Sequence, residues 1–336
     1  MTTTALANYR ISHTSVLVFW ITKHYSLSTE HDMMNVGWIG TGKLGLPMAA
    51  RIAASGSRVR AYVRSPDRVE AIQARQVFCV TFDEMAAQDI VFSSLPDDSA
   101  LRQVAEELIP ALRPGGVLVE TSTVSPTVSS EMGKKLAAHG VAYLRAPVSG
   151  NPIAAEAGKL TAMVSGPKEA FEVVRPLMVS YSQAQFWLGE GEQARYAKLA
   201  VNLMLAVSAG MLGEALALAR RGDVATADVL DVIAASALGS PMVVGKVGFL
   251  KAADYTPTFN GHQMAKDLDL ILSAANATGV AAPLAAFMRT QFAALCARGE
   301  IDQDFIAVVK VAQGLAGLGE ARYPCPPART DVKWRS

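Results

Sequence analysis

From residue 34 onward, short apolar runs alternate with segments whose apolar positions recur every three or four residues. Brief apolar runs bounded by turn residues fit buried strands, and the helical rhythm fits helices packed over them. The pattern predicts strands over 35–39 and 58–63, with helices over 44–54 and 66–75, the latter carrying Pro66 in its first turn. A buried strand over 90–95 follows, then a helix through Leu108, then a strand over 116–120 entered from the Pro114-Gly115 turn. Residues 142–144, 160–164 and 185–188 continue the series of strands. After Gly191 the rhythm changes. Residues 192–221 predict one long helix rich in Ala and Leu, and helices broken by Gly and Pro continue to about Gly319. The expected fold class is an α/β doubly wound parallel sheet over 34–191, then an all-α domain over 192–320 joined through the long helix. Residues 1–33 stand outside this pattern, and the proline-rich stretch 321–336 predicts a loose tail.

Composition narrows the partners. The chain has 336 residues, 51% hydrophobic, with 31 Lys and Arg against 30 Asp and Glu. That length suits two domains, and so even a charge balance supplies no basic footprint for nucleic acid. Apolar runs break before the roughly 20 residues of a membrane span, so the apolar bias is assigned to buried helices and a subunit interface. A homodimer or homotetramer is the expectation. Cys79, Cys296 and Cys325 form no CxxC pair and no disulfide framework, which fits a cytoplasmic protein. Residues 15–22 are apolar but short for a secretory core, and Lys23, His24 and Glu30 follow, so no leader is expected. With Met33 and Met34 just before the first strand, residues 1–33 are expected to be dispensable for the fold. His262 has Lys266 rather than a second ligand four residues on, so no metal site is expected.

The run Gly40-Thr41-Gly42-Lys43-Leu44-Gly45 is a GxGxxG between a strand and a helix, the context of the Rossmann-type dinucleotide fingerprint. The first glycine permits a tight turn, the second admits a pyrophosphate to the backbone, and the third lets helix and strand pack closely. N–H groups at the helix start then face the phosphates. A glycine-rich turn without ligand and a methyltransferase are the competing readings of this motif. At the end of the second strand an NAD site usually carries a carboxylate for the ribose hydroxyls. Here Arg64 and Ser65 stand there, with Arg68 a turn later, a donor set suited to a 2′-phosphate. NADP is therefore expected over NAD.

Taken together, these residues resemble the β-hydroxyacid dehydrogenases, from Met34 to about Gly319. That group includes 3-hydroxyisobutyrate dehydrogenases and tartronate, glyoxylate and succinic semialdehyde reductases, with a C-terminal domain of the 6-phosphogluconate dehydrogenase type. The resemblance begins with the extended glycine motif from Gly37 to Ala49 and continues at Leu95-Pro96, which it places beside the cofactor. In the stretch from Glu120 to Pro126 it implies that Ser122 faces substrate and Thr123 the nicotinamide. Ala146-Pro147-Val148-Ser149-Gly150-Asn151 resembles the family's substrate loop, where Ser149, Gly150 and Asn151 would bind a carboxylate. Two departures stand out: Arg145 replaces the usual acid, and Asn151 replaces a glycine, so Asn151 is expected to tolerate the turn and to project towards substrate. Both are placed where substrate preference is set. The resemblance makes Lys198 the proton-transfer residue and pairs it with Asn202, four residues on and so on one helix face. The apolar surroundings argue that this helix is buried on nearly all sides. Glycines expected just before the lysine are shifted to Gly189 and Gly191, with Glu192 and Ala194 nearer to it. Lys266, in Lys266-Asp267-Leu268, resembles the family's second lysine near the cofactor.

The implied activity is NADP(H)-dependent interconversion of a small 3-hydroxy or 2-hydroxy carboxylic acid and its aldehyde or keto acid, with Lys198 as general acid and base. An imine reductase on the same architecture and a catalytically silent nucleotide-binding interaction protein are the alternatives. The presence of Lys198 speaks against both.

Overall fold

The structure, a computed structural model, describes residues 34–318, so the expectations on residues 1–33 and on the tail lie outside the described residues. The chain divides into two compact units, the first ending at Leu199 and the second beginning at Ala200.

The first unit alternates strand and helix: β1 (Asn35–Ile39), α1 (Gly45–Ala54), β2 (Arg58–Tyr62), a 3-10 turn (Pro66–Arg68), α2 (Val69–Gln73), β3 (Phe78–Val80), α3 (Phe82–Ala86), β4 (Ile90–Ser93), α4 (Asp98–Ala111), β5 (Val117–Glu120), α5 (Pro126–Ala138) and β6 (Ala142–Arg145). All six strands pair in parallel in the order β3-β2-β1-β4-β5-β6. The order reverses between β1 and β4, which opens a crevice at their C-terminal ends. Side chains alternate between two cores. Val36, Trp38, Ile90, Phe92, Val117, Val119 and Leu144 face one, and Ile39, Val91, Leu118 and Tyr143 face the other. Trp38 stacks on Phe92 with ring centroids 5.1 Å apart, and Tyr181 meets Phe92 edge-on. Helix starts are fixed locally: Asp97 accepts from the Ala100 N–H ahead of α4, and Ser125 accepts from Val128 ahead of α5, where Pro126 takes the first position.

Three differences from the sequence pattern have physical reasons. Strand β3 escapes notice because it is only three residues long and lies at a half-exposed sheet edge. The predicted helix 66–75 splits into a 3-10 turn and α2. The strands after β6 do not extend the main sheet. Arg145 and Ser165 exchange backbone hydrogen bonds of 2.8 and 2.9 Å, which turns the chain back on itself. A second sheet follows, built from β7 (Val148–Ser149), β8 (Leu160–Val164) and β9 (Ser182–Trp187), with α6 (Pro152–Glu156) and α7 (Lys168–Tyr181) between them. Here β7 is antiparallel to β8.

Helix α8 (Gln193–Arg221) begins in the first unit and ends in the second. The second unit continues with α9 (Thr226–Ala235), α10 (Pro241–Lys251), α11 (Gly261–Thr278), α12 (Pro283–Ala297), a 3-10 turn (Phe305–Val308) and α13 (Val309–Leu315). Its core joins Met264, Leu268 and Ile271 to Met288, Phe292 and Leu295. Gly210 and Gly213 let α8 approach Met288 and Val309 so closely that a Cβ would lie 2.4 and 3.0 Å from them. The expectation that α8 is buried on nearly all sides is corrected: Met204, Met211 and Leu218 are 71%, 57% and 77% exposed. By length and composition α8 is also apolar enough to cross a membrane, with mean hydropathy 1.7 over its most apolar stretch.

Burial pushes the Tyr143 and Tyr181 phenols above their ordinary range; at Tyr143 the Arg195 charge opposes the shift. Folding therefore holds these protons more tightly than the unfolded chain, where phenols titrate near about 10. The contribution is fully present at neutral pH and is lost as pH rises above about 10, because only the unfolded chain gains by ionising. Urea midpoints between neutral and alkaline pH are expected to fall, and Tyr181→Phe to flatten that decline.

Candidate active site

The glycine turn occupies the crevice at the reversal of strand order. Gly40 adopts φ +88°, and a Cβ there would lie 2.1 Å from the Ser94 carbonyl oxygen on the strand beside it. A Cβ on Gly45 would lie 1.9 Å from the Gly40 carbonyl oxygen. Gly42 differs, since a Cβ there meets nothing within 4 Å and points into open space. Two glycines thus hold the turn against its neighbours, and the middle one leaves an approach for a ligand. Helix α1 starts without a side-chain cap and without an acidic residue in its first turn, so its N–H groups suit an anion. Lys43 is exposed and Leu44 half-buried in the same turn. These residues fit a dinucleotide pyrophosphate.

Beyond β2, Arg64 and Ser65 are exposed, and Ser65 makes no side-chain cap to the following turn. Arg68 reaches the glycine turn itself: its Nη2 donates to the Thr41 carbonyl oxygen at 2.6 Å. The segment after β2 is thereby tied to the glycine turn by a residue outside the fingerprint.

After β4, Leu95 is half-buried and Pro96 exposed. The Leu95 N–H donates to the Ser122 hydroxyl at 2.6 Å. Ser122 is held at two further atoms. Its N–H donates to Glu120 Oε1 at 2.9 Å, and its carbonyl accepts from Arg195 Nη1 at 2.8 Å. Thr123 beside it is half-buried. Ser149, Gly150 and Asn151 form a separate patch where β7 turns into α6. The left-handed residue of that turn is Gly150, at φ +135°. The expectation for Asn151 is corrected: its backbone is extended at φ −114°, and its side-chain oxygen accepts from the Ala154 N–H at 2.9 Å, capping α6. That oxygen is spent on the chain's own helix.

Arg145 is engaged within the chain. Its Nε and Nη2 both donate to Glu192 Oε1, at 2.9 and 2.5 Å, and its guanidinium lies over the Tyr143 ring. Both side chains are largely buried, at 10% and 16% exposure. Arg145 thus carries a largely buried ion pair. Two charges that the sequence leaves far apart, at 145 and 192, are thus one feature of the fold.

The residue that sequence reasoning missed is Arg195. It is 1% exposed and pairs with Glu120, itself fully buried, at 2.6 Å. Burial works against its charge, and Tyr143, Glu120 and Glu192 more than offset this, holding its pKa above the ordinary value. Lys198, one turn further along α8, is buried at 9% exposure. In the second unit, Asn202 is 2% exposed and donates its amide to Asp267 Oδ2 at 2.5 Å. A carboxylate can only accept, so the flip of the Asn202 amide is set, with its nitrogen towards Asp267. Lys266 Nζ stands 2.9 Å from Asp267 Oδ1, an ion-pair distance without hydrogen-bond alignment. Asp267 is 1% exposed. Among the described residues no group of three or more His, Cys, Asp or Glu could hold a metal ion.

Comparison with known proteins agrees with this geometry. Residues 35–189 match the family described as the NAD binding domain of 6-phosphogluconate dehydrogenase, and residues 192–312 match the NAD-binding family of NADP-dependent 3-hydroxyisobutyrate dehydrogenase. The chain is 30% identical over 291 residues to 2-(hydroxymethyl)glutarate dehydrogenase of Eubacterium barkeri, covering 85% of this chain and 97% of that one. The chain belongs to the β-hydroxyacid dehydrogenase family. A solved 3-hydroxyisobutyrate dehydrogenase from Mycobacterium tuberculosis with L-serine is similar at a TM-score of 0.75 and 28% identity, covering 83% of this chain and 98% of that one. An imine reductase from Pseudomonas sp. is similar at 0.57 and 18% identity, covering 83% and 99%, a likeness of fold alone. This β-hydroxyacid dehydrogenase is accordingly an oxidoreductase acting on hydroxyl groups with a nicotinamide cofactor.

The glycines should separate folding from binding. Gly45→Ala is expected to cost about 2 kcal/mol or more through its clash with Gly40. Gly42→Ala is expected to leave the melting temperature in place yet weaken NADPH binding by about tenfold or more. Calorimetry and a fluorescence titration read the two effects.

Proposed function

We propose that this dehydrogenase uses NADP(H) to interconvert a small 3-hydroxy or 2-hydroxy carboxylic acid and its aldehyde or keto acid, with Lys198 moving the proton. The observation that carries the reading is the burial of Lys198, at 9% exposure, one helical turn from an arginine bonded to the Ser122 segment. The bound nicotinamide supplies or accepts the hydride at the substrate carbon. In reduction, negative charge builds on the carbonyl oxygen, and the Lys198 ammonium stabilises it and donates the proton. In oxidation the neutral amine takes the proton from the hydroxyl. Ser122, Ser149 and the Gly150 backbone N–H are assigned to the substrate carboxylate. Asn202, with one amide N–H committed to Asp267, offers its carbonyl oxygen to a hydroxyl. Thr123 and Lys266 are assigned to the cofactor, as are Leu95 and Pro96.

Preference for NADP is supported by the absence of a carboxylate at the end of β2 and by the exposed Arg64 and Ser65, whose donors suit a 2′-phosphate. Arg68 adds a guanidinium at the same edge.

The test is a panel of two- to five-carbon hydroxy and aldehyde acids, with a cyclic imine as control, followed by nicotinamide absorbance with each cofactor. Turnover of the imine and of none of the acids would overturn the substrate class. Lys198→Ala is expected to lose about two orders of magnitude or more in turnover while still binding NADPH; retained turnover would remove the lysine from the mechanism. Arg64→Ala is expected to weaken NADPH by about tenfold and leave NADH unchanged, since a charged hydrogen bond contributes about 1.5–3 kcal/mol. Equal effects on both cofactors, measured as Kd, would reject the phosphate contact.

A further inference from the structure

We infer that Arg195 is a positioning residue for the reaction, locking the Ser122 segment and the Lys198-bearing turn of α8 into one rigid piece. This rests on the role proposed above for Lys198.

The guanidinium is almost wholly out of water, and four of its N–H directions are occupied. Nη2 donates to Glu120 Oε2 at 2.6 Å and to the Tyr143 hydroxyl at 3.0 Å. Nη1 donates to the Ser122 carbonyl at 2.8 Å, and Nε to the Ser129 hydroxyl at 3.0 Å. Arginine has five such donors in a fixed fork, so little remains to offer a substrate. Arg195 therefore acts through others. The partners come from the end of β5, from α5, from β6 and from the segment after β5, which one planar group gathers against the start of α8.

A buried ion pair is a poor device for stability alone, because apolar residues of similar volume often serve as well. What it supplies here is geometry. Ser122 is fixed at its nitrogen by Glu120, at its carbonyl by Arg195 and at its hydroxyl by the Leu95 N–H. Residues three apart on a helix lie on one face, so the bond from Arg195 to Ser122 turns the Lys198 side of α8 the same way. A lysine at 195 could keep the charge opposite Glu120, but its single ammonium could not reach Ser122, Ser129 and Tyr143 together.

Arg195→Lys and the double variant Glu120→Gln with Arg195→Met separate positioning from support. Arg195→Ala is less useful, since it leaves Glu120 buried without a partner. Arg195→Lys is expected to fold and to bind NADPH within about twofold of the parent chain. Its kcat is expected to fall about tenfold or more while KM for the acid moves little, because a small misplacement of reacting groups is costly in rate. The double variant is expected to regain melting temperature but not kcat. Parental kcat in either variant would overturn the inference. Amide exchange at Leu95 and Ser122 provides a readout independent of turnover. If the parent chain turns over no acid in the panel, the functional reading fails, and the anchoring role is still decided. Faster exchange in Arg195→Lys supports it, and unchanged exchange rejects it.

Discussion

Between Gly45 and the carbonyl of Gly40 there is no room for a methyl group, and between Gly40 and Ser94 there is none either. That double contact presses the start of α1 onto the ends of β1 and β4, where the strand order reverses. The placement of the site follows from it. Ser94 fixes where the chain leaves β4, the Leu95 N–H then reaches Ser122, and Ser122 is bound in turn to Glu120 and Arg195. A continuous path of backbone and buried polar contacts runs from the nucleotide turn to the helix that carries Lys198.

Much of this was legible in the sequence, and the reason is local periodicity. Five of the six parallel strands and the long helix announce themselves through apolar rhythm, and the glycine spacing is meaningful because it falls between a strand and a helix. What stayed hidden depends on pairings between distant residues. Arg195 meets Glu120 across 75 positions, and Arg145 meets Glu192 across 47. In the sequence Arg145, Arg195 and Glu120 are charged residues in largely apolar stretches, and Glu192 lies in a polar, glycine-rich one. A cue did exist, since an arginine and a glutamate interrupt otherwise buried stretches and such charges are rarely buried without partners.

Asn151 shows the opposite failure. Its chemistry was read correctly as that of a residue suited to turns, but such residues also cap helices. Pro152, at the first position of α6, is the local sign that favours the cap. The exposed Met204, Met211 and Leu218 on α8 mark a third limit. An apolar helix need not be covered on every side by its own chain.

The pairing of Arg145 with Glu192 has an evolutionary consequence. Breaking a buried ion pair by changing one member costs about 3–5 kcal/mol, comparable to much of a domain's stability. A lineage that exchanged only Arg145, or only Glu192, would cross an intermediate with a stranded charge. Either residue is therefore held in place by the other, and a change at one is tolerated only with a matching change at its partner.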